Sequence, residues 1–156
     1  MTWVEYPYTS IWSDDKILKK PILNIVVGKN GKVTPQAAII DSGADIALMS
    51  SEIAEMLGIR AHDCEKKFVS GIDSVPLEGF VADVEVQVAG IAGIIKIPVL
   101  FIPGLQFNNL LGQYGFFEYF HVRFDKDRDI FALMKAPRKK KSYKFSPTIS
   151  RALKKC

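Results

Sequence analysis

Apolar positions recur along this chain mainly with period two, in short runs broken by glycine, proline and Asn/Asp-containing turns, which predicts strands rather than long helices. Ile22-Leu23-Asn24-Ile25-Val26-Val27 reads as a strand opened by Pro21, Asn30-Gly31 as a hairpin turn, and the residues from about Lys32 to Ile40 as the return strand. Further on, Val84, Val86 and Val88 alternate with Asp83, Glu85 and Gln87, the pattern of a half-exposed strand. Ala89-Gly90 turns that strand, and Ile94 to Ile102 reads as a more fully buried one. One stretch breaks the pattern. Ser50-Ser51-Glu52-Ile53-Ala54-Glu55-Met56-Leu57-Gly58 offers serines for an N-cap, acids in the first turns and glycine for a C-cap, which predicts a two-turn helix. The expected class is all-β with one or two short helices.

Three segments follow from composition. The 156 residues suit one core-forming domain. Residues 1–20 form an aromatic arm with Trp3, Tyr6, Tyr8 and Trp12 around Pro7. Two readings stand for it: a strand packed on the core, or a surface for dimer and partner contacts. Residues 21–134 hold the strand pattern. Residues 135–156 carry nine Lys or Arg and no acid, leaving 12 basic and 17 acidic residues in 1–134. The overall charge of +4 therefore belongs to a tail on a mildly acidic domain. Basic residues interleaved with Tyr143 and Phe145 offer weak contact to nucleic acid or an anionic surface, against the plainer reading of a solvated, disordered end. Entry of Phe145 or Ile149 into the chain's own cleft is a further reading of that tail.

The two cysteines, Cys64 and Cys156, lack metal-ligand spacing, so neither a zinc site nor a disulfide framework is expected. Neither metal nor cofactor is implied. Met1 to Trp12 lacks a basic start and an apolar core, and the expected location is cytoplasmic.

The chemistry concentrates at Ile39-Ile40-Asp41-Ser42-Gly43-Ala44-Asp45, where a β-branched run drives into a tight turn and holds an acid at the strand's end. Asp-Ser/Thr-Gly arises by chance in a chain this long about one time in ten to twenty at average residue frequencies. Context therefore decides. Phe68 to Phe80 reads as strand, Gly-containing turn and strand, and Asn109-Leu110-Leu111-Gly112 follows Pro103-Gly104.

Together these resemble the single-domain, retroviral-type (retropepsin-like) aspartic proteases, closest in pattern to cellular and prokaryotic members. The resemblance covers about residues 20–134. It implies a small closed β-barrel functioning as a homodimer, in which each chain supplies one Asp to a catalytic pair. Asp41 is then the catalytic acid, supported in its loop by Ser42, Gly43 and Ala44. Asp45 contacts substrate backbone, and Ser70, Gly71 and Ile72 belong to a flap hairpin closing over an extended peptide. Leu-Leu-Gly packs across the catalytic loop and is followed by a Phe-rich helix within Gln113–Phe120 and a last strand at Val122–Asp125. The implied activity is endopeptidase, with a peptide or protein substrate. Alternatives from other classes are a silent dimer that binds peptides or assembles, and a tail-led nucleic-acid protein. Many family members carry Arg directly after the second glycine, pairing with the acid that here is Asp45. This chain has Gln113 there, so the partner of Asp45 is missing or comes from elsewhere, with Arg123 as the candidate.

Overall fold

The computed structural model describes residues 2–70, 75–105 and 108–137. In chain order the strands and helices are β1 (Val4–Pro7), β2 (Thr9–Ser13), β3 (Lys16–Lys20), β4 (Ile22–Lys29), β5 (Lys32–Ile40), β6 (Ala47–Ser50), α1 (Ser51–Met56), β7 (Lys66–Ser70), β8 (Pro76–Val88), β9 (Ile94–Ile102), β10 (Asn109–Leu111), α2 (Phe116–Tyr119), β11 (Phe120–Asp125) and β12 (Ile130–Lys135).

Six strands close on themselves in the order β4-β5-β10-β6-β9-β8, with β8 returning to β4. β8 is long enough to serve twice: residues 76–80 pair with β7, and residues 85–88 pair with β4. Closure leaves the barrel strands no free edge. Inward-pointing Leu23, Ile25 and Val27 of β4 meet Ala38 and Ile40 of β5 and Ile97, Val99 and Phe101 of β9. Each such side chain, fully removed from water, contributes about 1.5–3 kcal/mol. A second apolar cluster lies on the other face of β6 and β9, where Ile46, Leu48, Val81, Leu100 and Ile102 are joined by Val69, Leu77, Leu105 and Leu110. β9 is thus buried on both faces over its second half, as its uninterrupted apolar run predicts.

Local rules account for the connections. Asn30 and Gly31 both take positive φ, joining β4 to β5 in a two-residue hairpin. α1 forms where its caps predict: the Ser50 hydroxyl accepts from Glu52 N, and Gly58 turns the chain away at φ 71°. β8 carries Gly79 at the one place where a Cβ would lie 2.5 Å from the Phe101 carbonyl oxygen, so the strand hugs β9 only because that side chain is missing.

A separate three-stranded sheet, β1-β12-β11, joins the two ends of the described chain. Tyr6 stacks on Phe131 at 5.2 Å between ring centroids, and Tyr8 meets the same ring edge-on. β12 has no counterpart in the sequence reading, which ended its strands at Asp125. Phe131, Ala132 and Leu133 are all buried, so no polar alternation marks them as a strand. The Phe-rich helix is a single turn, because the chain is extended again from Phe120.

Two further points differ from expectation. Cys64 is buried and disulfide-bonded, although the cysteine pattern suggested no disulfide. Arg123 donates to Glu5 at 3.1 Å and covers the Trp3 ring, so it is committed to the β1 side and is not the partner of Asp45. The basic tail from Arg138 onward lies outside the described residues.

Candidate active site

Asp41 follows the last residue of β5, and backbone on three sides fixes its loop. Asp41 N donates to the Leu111 carbonyl at 3.0 Å, extending the parallel β5–β10 pairing by one residue. Ala44 N closes the turn on the Asp41 carbonyl at 3.2 Å. Gly43 N donates to Asp41 Oδ1 at 2.9 Å, so a backbone amide orients the carboxylate. A Cβ on Gly43 would sit 3.2 Å from that same oxygen, which is why the smallest residue stands there. Asp41 is half-buried, while Ser42, Gly43 and Asp45 are exposed and Ala44 is half-buried. The loop therefore presents its carboxylate at an open surface. Among the described residues no cation pairs with Asp41.

The Leu-Leu-Gly element lies across this loop. Gly112 approaches so closely that a Cβ would fall 2.5 Å from the Ala44 carbonyl oxygen and 2.9 Å from that of Ile46. Gln113 N donates to Ala44 O and Tyr114 N to Asp45 O, both at 2.8 Å. The Gln113 side chain adds a third tie, Nε2 to the Ser42 carbonyl at 2.8 Å. Gln113 thus braces the Asp41 loop through that loop's backbone carbonyls, at the position where many family members carry an arginine. Asn109, named in the sequence only as the first residue of its motif and given no role, staples the start of the same element: its amide donates to Ala37 O at 3.1 Å, and its oxygen accepts from Ser50 N at 3.2 Å. Nothing in its immediate sequence signals that role.

The β7–β8 hairpin stands over the second apolar cluster. Val69 and Leu77 of its stem pack into the same group as Leu48 and Leu110, and Leu110 precedes the residue whose carbonyl holds Asp41 N. An apolar wall therefore lies beside the catalytic loop. Ser70 is exposed at the end of β7, opposite Pro76, while Gly71 and Ile72 lie outside the described residues. On the other flank of the loop is a cleft of 390 Å³ lined by Asp45, Gln113, Tyr114, Phe117 and Glu118. A groove over β4 and β5, with Asn24, Gln36 and Gln87 on its walls, carries no titratable side chain and offers no acid–base chemistry.

A closed six-stranded barrel with one Asp-Ser-Gly loop braced by Leu-Leu-Gly defines a single-domain acid protease of the retropepsin-like type. A family model described as aspartyl protease matches residues 25–114, and the chain belongs to that family. Among solved structures, a retropepsin-like aspartic protease from Rickettsia conorii is similar at 20% identity and a TM-score of 0.59, covering 85% of this chain and 91% of that one. The EIAV protease complexed with the inhibitor HBY-793 is similar at 20% identity and a TM-score of 0.41, covering 65% and 86%. No curated protein matches the sequence.

Proposed function

We propose that this chain is an aspartic endopeptidase whose active site forms between two copies, each contributing Asp41. The observation that carries the reading is the position of that carboxylate: oriented by Gly43 N, braced by Gly112 and Gln113, yet open to the surface. Peptide hydrolysis without a metal needs one group to take a proton from water and another to give one to the carbonyl. Two carboxylates sharing a proton do both. Placed about 3 Å apart at an effective dielectric near 20, two carboxylate charges would repel by about 5.5 kcal/mol, so one of the pair carries the proton. Such a shared proton is the pattern that lets two carboxylates act as base and acid together. The ionised Asp41 accepts a proton from the attacking water, while the protonated one donates to the carbonyl oxygen. The tetrahedral diol then collapses, expelling the amine with a proton returned through the same pair.

In this reading Ser42 Oγ bonds across the two-fold axis, and Asp45 takes substrate backbone N–H groups. The β7–β8 hairpin, with Ser70, Gly71 and Ile72 toward its tip, covers the bound peptide and excludes water. The wall containing Leu48, Val69, Leu77 and Leu110 supports a preference for apolar side chains next to the scissile bond.

The test compares the wild type with Asp41→Asn on a mixed peptide library between about pH 3.5 and 7, a range bracketing the carboxylate reference values. Expected are cleavage by the wild type only, a bell-shaped or acidic profile, and specific activity that rises with protein concentration. A dimeric wild type that cleaves nothing would leave a peptide-binding module in place of the enzyme.

A further inference from the structure

The β2–β3 hairpin belongs to neither the barrel nor the three-stranded sheet. Its strands pair with each other, Thr9 opposite Lys20 through Ser13 opposite Lys16, and touch no other element comparably. Asp14 and Asp15 turn it, both at positive φ. Trp12 and Ile17 face each other across it on one side, 77% and 57% exposed. A two-stranded ribbon alone in water is marginal at best. An exposed Trp–Ile pair at its far end is a cost that a covering surface would remove.

The hairpin's root gives its place. Pro21, directly after β3, accepts from Ile40 N at 3.0 Å, one residue before Asp41. Lys19 is tied to Asp129 at 2.7 Å, holding the base against the start of β12. In the sheet, β4 lies on one side of β5 and β10 on the other. The hairpin therefore springs from one flank of the catalytic loop, and the cleft of Asp45, Gln113, Tyr114, Phe117 and Glu118 lies on the opposite flank. A two-fold axis beside Asp41 sets each flank of one chain against the opposite flank of its partner.

We propose that this hairpin is a dimerisation arm: Trp12 and Ile17 of each chain seat against the cleft beside the catalytic loop of a second copy. The inference rests on the dimeric reading of the site and names what holds the dimer together. The surfaces are complementary in kind. The arm brings an aromatic and an aliphatic side chain with Lys16, which has no ion pair among the described residues. The cleft brings the rings of Tyr114 and Phe117 with the half-buried carboxylate of Glu118, one oxygen of which accepts from Gly115 N. Asp14 and Asp15 at the leading edge argue against an anionic membrane as the occupant.

The experiment is sedimentation of the full-length chain over a wide concentration range, for the wild type, Trp12→Ser, Ile17→Ser and Lys16→Glu. Loss of a central interfacial aromatic typically weakens association by about thirty-fold or more, and Trp12→Ser should do so here. Ile17→Ser should act in the same direction, and Lys16→Glu should weaken the dimer more at low salt than at high salt. Thermal melts followed by circular dichroism should match the wild type at concentrations where all are monomeric. In a Trp3→Phe background, Trp12 emission should shift to the blue as the dimer forms. A wild-type dimer unmoved by Trp12→Ser and Ile17→Ser would overturn the arm while leaving the paired active site standing. Trp12 emission that responds to anionic vesicles and not to protein concentration would overturn it as well. A wild type monomeric at every concentration would sink both.

Discussion

At the scale of single residues, the Asp41 loop depends on groups outside it. The Gln113 amide reaches the Ser42 carbonyl, and its backbone N–H reaches that of Ala44, so one residue grips the loop on both sides of Gly43. Gln113→Ala keeps the backbone tie and loses the side-chain one, at a cost of about 1 kcal/mol in stability. Activity should fall further, by about ten- to a hundred-fold, because a misplacement near 1 Å at a reacting group is that costly. Gln113→Glu should be worse than Gln113→Ala, since a carboxylate would face the Ser42 carbonyl oxygen. Specific activity of the two variants beside their denaturant midpoints separates positioning from folding. Arginine at this position would bring a planar cation suited to a carboxylate, whereas glutamine brings an amide suited to a backbone carbonyl. That difference in donor chemistry is why the loop, and not Asp45, receives the bond.

Among the elements, β8 carries the most, since it spans the hairpin over the second apolar cluster and the closure of the barrel. Its Asp83 lies on that strand beside two lysines. Desolvation by burial pushes its carboxyl above the ordinary range, and the nearby charges of Lys96 and Lys29 only partly counter this. A group whose folded pKa is raised gives stability that is full below its unfolded value and lost as pH rises through the folded one. At neutral pH the Asp83 charge is therefore a net cost. Asp83→Asn should raise the melting temperature at about pH 7, and the two proteins should converge near pH 3, below the carboxylate reference value. Melts across that interval check the sign. The elements themselves were legible where local rules govern. Asn30-Gly31 requires positive φ, Ser50 and Gly58 cap α1, and an alternating run marks the second half of β8. They were illegible where burial on both faces erased the alternation, as at Phe131-Ala132-Leu133. Gly79 looks alike in sequence to the turn glycines, and only the facing carbonyl of Phe101 shows that it serves close approach, whereas the packing of Gly112 on the Ala44 carbonyl was implied by the resemblance.

For the whole molecule, the sheet β1-β12-β11 ties the start of the described chain to its end, and a single aromatic contact carries much of it. Tyr6 stacks on Phe131, and its hydroxyl donates to the Ala89 carbonyl at 2.7 Å, next to the turn after β8. Tyr6→Ala should cost about 2–3 kcal/mol, toward the low end for large-to-small changes because the ring is only half-buried. Tyr6→Phe should lose only the hydrogen bond, about 1 kcal/mol. Chemical denaturation of both variants checks the ratio. The pairing of Val4–Pro7 with Ile130–Leu133 was not legible at all, since nothing in either tetrapeptide names its partner. Arg123 was misread for the same reason: its partners, Glu5 and Trp3, are remote in sequence and brought close only by that pairing.

That sheet also sets an order in time. Among the described strands, the first translated has its partner in the last, with roughly 120 residues between them. At ~5–20 residues per second, β1 waits roughly 6–25 s on the ribosome before β12 exists. Through that interval the barrel strands can find one another, but Tyr6 and Tyr8 have no Phe131 to rest on. A nascent chain of this protein therefore holds its aromatic arm unburied until synthesis has passed Lys135.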